Sequence, residues 1–368
     1  MRKILTGLFI VFATILHVKG QQAAQFTQYM VNPYLMNPAL SSVEDMIDIK
    51  AGYRAQWVGF NQIDNNNADP LNPNVSGGIA PRTMYLSGHS PVGKPHAIMH
   101  YVTESKSWFG VGGKIVSDQT GPTGWGSYMV SGTYNMALIK PKGSGIYTKG
   151  GLRMSAGMFL GVQQYSLNWG QLNFADAEPL QSNKTSTEYN FKPDATLGAW
   201  FYNDFLFFGI SMDHVFGNKL TLPIPDAVEK DKLTDYPTLA RHTYITGGIN
   251  YEITEQLTWS PSVLFKYTPN APLSVDLNNR ITYENSYWGG ITYRHLDALS
   301  LAVGAIITYN YEIAYSYDYT YTDIRASGGA TATHEITIGY RIAPKPTSMN
   351  AEDHNWGHHG HYKKKKYK

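Results

Sequence analysis

Near its C-terminal end the chain alternates apolar and polar residues with a period of two. Tyr311, Ile313, Tyr315, Tyr317 and Tyr319 alternate with Glu312, Ala314, Ser316 and Asp318. Ile336, Ile338, Tyr340 and Ile342 alternate with Glu335, Thr337, Gly339 and Arg341. A similar rhythm sets Leu152, Met154, Met158, Leu160 and Val162 against Arg153, Ser155, Gly157 and Gly161. It returns in Leu257, Trp259, Val263, Phe265 and Tyr267 against Thr258, Ser260, Ser262 and Lys266. A period of two puts each set on its own face of a strand. Followed along the chain, the pattern predicts fourteen strands, at 45–58, 81–91, 109–118, 126–137, 150–163, 193–203, 205–213, 242–252, 257–267, 272–281, 286–294, 298–306, 311–319 and 333–342. Each is near the length that crosses a bilayer when tilted. An even count leaves both termini on one side, as in bacterial single-chain barrels.

The connections have two lengths. After odd-numbered strands come long polar stretches at 59–80 (with Asn65, Asn66 and Asn67), 164–192, 214–241 and 320–332. After several even-numbered strands come tight turns at Asn203-Asp204, Thr254-Glu255 and Glu284-Asn285. Long outer loops and short periplasmic turns are the habit of outer-membrane barrels. The stretches 92–108 and 138–149 depart from this rule and read as periplasmic insertions. A soluble β-sandwich also alternates, but its outer face is polar and its charged fraction higher. Here only 16% of residues are charged, and the aromatic share is 13%, with 27 Tyr and 8 Trp. Those rings suit the boundary between lipid and water. The reading is therefore all-β: a transmembrane antiparallel β-barrel of about fourteen strands, integral to the outer membrane of a Gram-negative bacterium and in contact with its lipid. The mean hydropathy of −0.31 fits, because half of each barrel strand faces a polar interior.

The flanks set the domain division. Residues 1–20 read as a signal peptide: Arg2 and Lys3 lead an apolar run from Ile4 to Leu16, and Val18 and Gly20 stand before the cleavage site. Residues 21–44 form a periplasmic N-terminal segment that could also fold into the barrel mouth as a plug. The barrel occupies 45–342. Residues 343–368 form a flexible periplasmic tail with His354, His358, His359, His361 and Lys363 to Lys366. Gly357 and Gly360 loosen that tail, and a solvated strand of chain is a better reading than a metal site. A net charge of +2 offers no field for nucleic acid. The chain has no Cys, which removes disulfides, thiol catalysis and thiolate metal sites. It has no GxSxG, HExxH, GxGxxG or P-loop pattern. Asp213 and His214 are neighbours at a strand end and face opposite ways, so with Ser211 they make a poor triad. The sequence carries no catalytic site, cofactor site or metal site.

One stretch is distinctive. Gln25-Phe26-Thr27-Gln28-Tyr29-Met30, then Asn32-Pro33 and Asn37-Pro38-Ala39, resembles the opening signature of the PorP/SprF proteins of the type IX secretion system of the Bacteroidota. The likeness continues through Arg54-Ala55-Gln56-Trp57-Val58-Gly59, Pro81-Arg82-Thr83, Gly112-Gly113 with Asp118, Gly121 and Pro122, and Lys192-Pro193-Asp194-Ala195. Near the end, Lys266-Tyr267, Trp288-Gly289-Gly290, Tyr293-Arg294 and Tyr315-Ser316-Tyr317-Asp318 look like the family too. The resemblance implies a non-enzymatic outer-membrane component of type IX secretion and gliding motility. SprF-like members pair with secreted adhesins that carry a type B C-terminal domain, and PorP-like members with the periplasmic export machinery. The alternative reading is a general diffusion porin.

The partner-binding candidates are Phe26, Gln28, Tyr29, Asn32, Pro33, Asn37, Pro38, Arg54 and Trp57. Pro33 and Pro38 bias Asn32 and Asn37 toward extended or turn conformations, and Asn side chains then cap the turns. That segment would plug the barrel, close its base or offer an apolar dock. Arg54, on the lumen face, would hold a partner's carboxylate or pair with Glu252, Asp318 or Glu335 in the wall.

Overall fold

The computed structural model describes residues 25–44, 46–58, 80–92, 107–139, 151–171, 186–220, 238–308, 310–322 and 332–342. The expectations for the signal, the C-terminal tail and most of 59–80, 92–108 and 138–149 lie outside the described residues. Fourteen antiparallel strands close on themselves. They are β1 (Ile47–Val58), β2 (Arg82–Pro91), β3 (Ser107–Thr120), β4 (Thr123–Ile139), β5 (Leu152–Asn168), β6 (Thr187–Tyr202) and β7 (Leu206–Asp213). β8 runs His242–Ile249 and resumes at Tyr251–Glu252. There follow β9 (Leu257–Tyr267), β10 (Ser274–Tyr283), β11 (Tyr287–Arg294), β12 (Ala298–Ile307), β13 (Tyr311–Thr320) and β14 (Ala332–Ile342). The break in β8 falls at Asn250, yet its N–H reaches Phe205 O at 2.7 Å and its Oδ1 accepts from Ser260 Oγ at 2.9 Å. The ladder is therefore bridged across the break. No helix among the described residues is long and apolar enough to cross a membrane.

The barrel closes between β1 and β14, which pair from Ile47↔Ile342 to Ala55↔His334. The register then slips, and Val58 faces Ala332. Trp57 sits at that bulge with φ +48°, which bends the strand as bulges do. Strands β3 to β6 are longer than the alternation alone predicts. Part of the expected outer loop 164–192 is ladder: β5 and β6 stay paired out to Asn168↔Thr187. Polar residues in 163–168 and 187–190 hide this extension from a hydrophobicity pattern. The turns are as the sequence specifies. Asn203 Oδ1 accepts from the N–H groups of Phe205 and Leu206 at 2.9 and 2.7 Å, and Glu284 and Asn285 both take positive φ, the requirement of a tight hairpin.

Along β13, Glu312, Ala314, Ser316 and Asp318 are buried while Tyr311, Ile313, Tyr315 and Tyr319 are exposed. The apolar set therefore faces outward and the polar set inward, the inverse of a soluble core and the arrangement a bilayer demands. Val130, Met84 and Leu301 lie on the outer band. Tyr251, Tyr283, Tyr287 and Tyr311 ring the end where β1 starts (the terminal end), and Tyr267, Tyr293 and Tyr319 stand near the opposite, loop end. Aromatic girdles at both rims mark the two lipid–water boundaries.

Inside, large rings lie against cross-strand glycines. Trp200 pairs with Gly209, and Trp288 with Gly304. A Cβ on Gly209 would stand 2.2 Å from the Trp200 ring, and one on Gly304 2.3 Å from Trp288. These glycines let the indoles flatten onto the wall and leave the lumen free for something else. Gly209→Leu is expected to push Trp200 inward at a cost of about 1–3 kcal/mol, read as a lower unfolding temperature in micelles. Gly132→Leu, where a Cβ meets nothing within 4 Å, should leave that temperature unchanged.

Candidate functional site: the filled lumen

Residues 25–44 lie inside the barrel, a placement finer than the expected position at its periplasmic base. The reason is a polar lumen wall that offers partners at every level. At the loop end, Arg294 Nη1, at the tip of β11, reaches Gln25 Oε1 at 3.4 Å. At the terminal end, Trp108 Nε1 and Asn135 Nδ2 donate to Ser42 O and Ser42 Oγ at 3.0 and 2.6 Å. The segment thus descends the whole lumen before the chain enters β1. Pro33–Leu35 and Pro38–Leu40 each form one 3₁₀ turn, with proline at the first position, where its missing N–H has no role. Asn37 caps the second, accepting from Ala39 N at 3.0 Å.

The sequence-derived candidates meet the wall as follows. Phe26 packs edge-on against Tyr85, with ring centres 5.6 Å apart. Gln28 Nε2 donates to Glu335 O at 2.8 Å and Ser316 Oγ at 3.3 Å. The Tyr29 and Ser262 hydroxyls lie 3.3 Å apart, and Asn32 Nδ2 donates to Ser87 Oγ at 2.9 Å. Asn37 Nδ2 donates to Ala199 O and Ile210 O at 3.1 and 3.3 Å. Pro38 is buried and Pro33 half-buried. Arg54, 1% exposed, pairs with Asp318 and Glu335 at 3.0 Å each. Glu252, the other expected acid, is exposed on the far side of the break in β8. Trp57 stands apart at the loop end, half-buried, its N–H on Thr333 Oγ1 at 3.1 Å.

Thr27 joins the buried charges. Its hydroxyl donates to Asp318 Oδ2 at 2.6 Å and accepts from Arg54 and, at 3.4 Å, from Arg294. Its N–H donates to Glu335 Oε2 at 2.8 Å. Arg294 reaches onward to Asp297 at 2.9 Å and Asp276 at 3.6 Å, and Lys266 pairs with Asp276 at 2.9 Å. Lower down, Lys50 and Arg341 share Asp48 and Glu312. Lys114 Nζ donates to Leu35 O at 2.6 Å. Between these polar levels, Tyr34, Ala39 and Leu40 pack on Met129, Phe159, Trp200 and Tyr202. Sequence reasoning did not single out Thr27, Ser41, Ser42 or Arg294 as partners. Thr27 and Arg294 do stand in the motifs that carried the resemblance.

Ser211, Asp213 and His214 form no triad. His214 Nδ1 lies 2.6 Å from Asp194 Oδ2 instead. Burial opposes charge on that ring, but Asp194 and Asp213 outweigh it and hold its pKa above the ordinary imidazole value. Among the described residues, no cluster of three or more His, Cys, Asp or Glu could hold a metal.

The family model of the type IX secretion system membrane protein PorP/SprF matches residues 18–340. The chain belongs to this family. No curated protein matches the chain. Among solved structures, the chain is similar to the Ralstonia pickettii toluene transporter TbuX, at 12% identity and TM-score 0.46, over 89% of this chain and 96% of that one. It is similar to the β domain of the Bordetella autotransporter BrkA, at 10% identity and TM-score 0.36, over 81% and 98%. A porin of Rhodopseudomonas blastica matches at 7% identity and TM-score 0.30, over 81% and 99%. This PorP/SprF member is therefore a membrane β-barrel of type IX secretion.

Proposed function

We propose that this PorP/SprF protein is a non-enzymatic outer-membrane station of type IX secretion. It docks and anchors a secreted surface protein, such as a gliding adhesin with a type B C-terminal domain, and links it to the periplasmic export machinery. The observation that carries this reading is the filled lumen. A diffusion porin needs open water along its axis, and here a segment with thirteen buried residues occupies that space. Cargo is then held by the barrel's surfaces rather than passed through it. In this reading Phe26, Gln28, Tyr29, Asn32, Pro33, Asn37, Pro38 and Arg54 act from within, fixing the shape of the barrel that a partner meets. Trp57, at the loop end, is the candidate placed to touch the partner itself.

A disulfide lock tests the reading. The Ser41 and Thr133 hydroxyls are in direct contact, close enough for cysteines there to bridge, and the chain has no native Cys. Oxidised Ser41→Cys/Thr133→Cys protein, affinity-purified from native membranes, should bring the same secreted and periplasmic proteins as wild type and support the same export. Export lost on oxidation and restored by reductant would mean that the plug must move, and the stationary-anchor reading would fall. Recovery of the barrel alone, locked or not, would favour a porin.

A further inference from the structure

A cavity of about 220 Å³ remains between the plug and the wall, on the terminal side of the lumen. Asn203 and Asn285, in terminal-end turns, belong to its border, as do Trp200, Phe207, Tyr244 and Trp288. Three cations line it. Lys50 and Arg341 are held by Asp48 and Glu312. Arg280 makes no ion pair with any described residue. Its Nη1 has a 3.4 Å bond to Met30 O and its Cζ lies 5.8 Å from the Trp288 ring centre, while its Nε, like those of Arg54 and Arg294, is buried without a hydrogen-bond partner. Every other described charge on this stretch of β10 and β11 has a counter-ion: Asp276 has Lys266 and Arg294, and Arg294 has Asp297. A lumenal guanidinium left with an unused donor is a costly arrangement unless an acceptor completes it.

We propose that this cavity binds a small carboxylate with an aromatic body, the carboxylate on the Arg280 guanidinium and the body against the aromatic lining. A guanidinium edge matches a carboxylate with two parallel donors, and the ring beside it favours an aromatic companion. The volume suffices, since an engineered cavity of roughly 150 Å³ takes benzene. Glu44, Asp48 and Glu312 also border the space, so with Lys50, Arg341 and Arg280 its formal charge balances at zero. The ligand is therefore held by local geometry rather than by a net field, and its affinity changes little with salt. The same chemistry is met in a free aromatic acid and in the C-terminal residue of a polypeptide ending in Phe. The proposal does not depend on what the barrel anchors.

The test uses the full-length protein in neutral detergent, titrated by calorimetry and by tryptophan fluorescence. The probes are 3-phenylpropionate, its amide, and the peptide acetyl-Gly-Gly-Phe with a free or amidated terminus. Expected is saturable binding of an acid, with its amide at least tenfold weaker. Arg280→Met should lose about tenfold or more. Arg280→Lys keeps the charge for folding and should lose severalfold, because a point charge replaces a fork. Tighter binding of the peptide acid names a polypeptide terminus as the source, and tighter binding of 3-phenylpropionate names a free acid. Equal affinity for acid and amide, wild-type affinity in a folded Arg280→Lys or Arg280→Met protein, or no saturable binding of either acid would overturn the proposal.

Discussion

A chain lacking residues 25–44 is expected to conduct ions steadily in planar bilayers, where the full-length barrel passes little current. Fourteen strands enclose room for an aqueous lumen. In the intact protein that room is crossed from loop end to terminal end by one stretch of chain, tied at Thr27, Gln28, Asn32, Asn37 and Ser42. Without it, water reaches Arg54, Lys114 and the Lys50 cluster, and the wall polar groups exchange protein partners for solvent. The barrel itself should persist, because its backbone ladder closes between β1 and β14 independently of the plug. Its stability should fall, since Tyr29, Tyr34, Leu35 and Leu40 no longer bury apolar surface against the wall, at about 1.5–3 kcal/mol for each side chain. Single-channel recording and micellar unfolding temperature read the two effects separately. Equal current from the truncated and full-length proteins would show that something else closes the lumen, and the case against a porin would lose its support.

What the alternation reveals is the wall. All fourteen strands fall where period-two patterning places them, because each lies between lipid on one face and polar lumen on the other. That contrast is strongest in β13, where Tyr alternates with Glu, Ser and Asp. It fades at the loop-end extensions of β5 and β6, where Gln163, Gln164, Ser166, Asn168, Thr187, Glu188 and Asn190 leave little apolar contrast to read. The plug is legible only in part. Its Asn-Pro pairs announce turns, and the structure has 3₁₀ turns at Pro33 and Pro38. Nothing in the local pattern says that Thr27 will meet Asp318 or that Gln28 will reach Glu335, 291 and 307 positions away. Such pairings depend on closure of the sheet, which brings β13, β14 and β1 around one axis. A similar limit applies to Arg280, whose lack of an ion pair among the described residues is visible only once its neighbours are placed. The lumenal acids named for Arg54 divide on the same ground: Asp318 and Glu335 share its level in the wall, and Glu252 does not.

The largest single-residue effect is expected at Arg54. Its guanidinium spans β1, β13 and β14 through Asp318 and Glu335 and also donates to Thr27, so it fastens the plug at the seam where the barrel closes. Arg54→Ala leaves two carboxylates, each under 3% exposed, with Arg294, 3.6 Å from Asp318, as the one remaining cation within 4 Å among the described residues. Breaking a buried pair by removing one partner costs roughly 3–5 kcal/mol. The variant should therefore unfold at markedly lower temperature in micelles, and it should also leak current, because Thr27 loses a fixed partner. The effect lies in the stranded acids more than in the lost attraction. Arg54→Met combined with Glu335→Gln should then recover much of the stability, since a charge and its counter-charge leave together, and the double change should be clearly non-additive. If Arg54→Ala were within about 0.5 kcal/mol of wild type, an ordinary surface-substitution effect, the ion network would not be what secures the top of the plug. The closed lumen would then rest on the Tyr34, Ala39 and Leu40 cluster and on the Ser41 and Ser42 contacts below it.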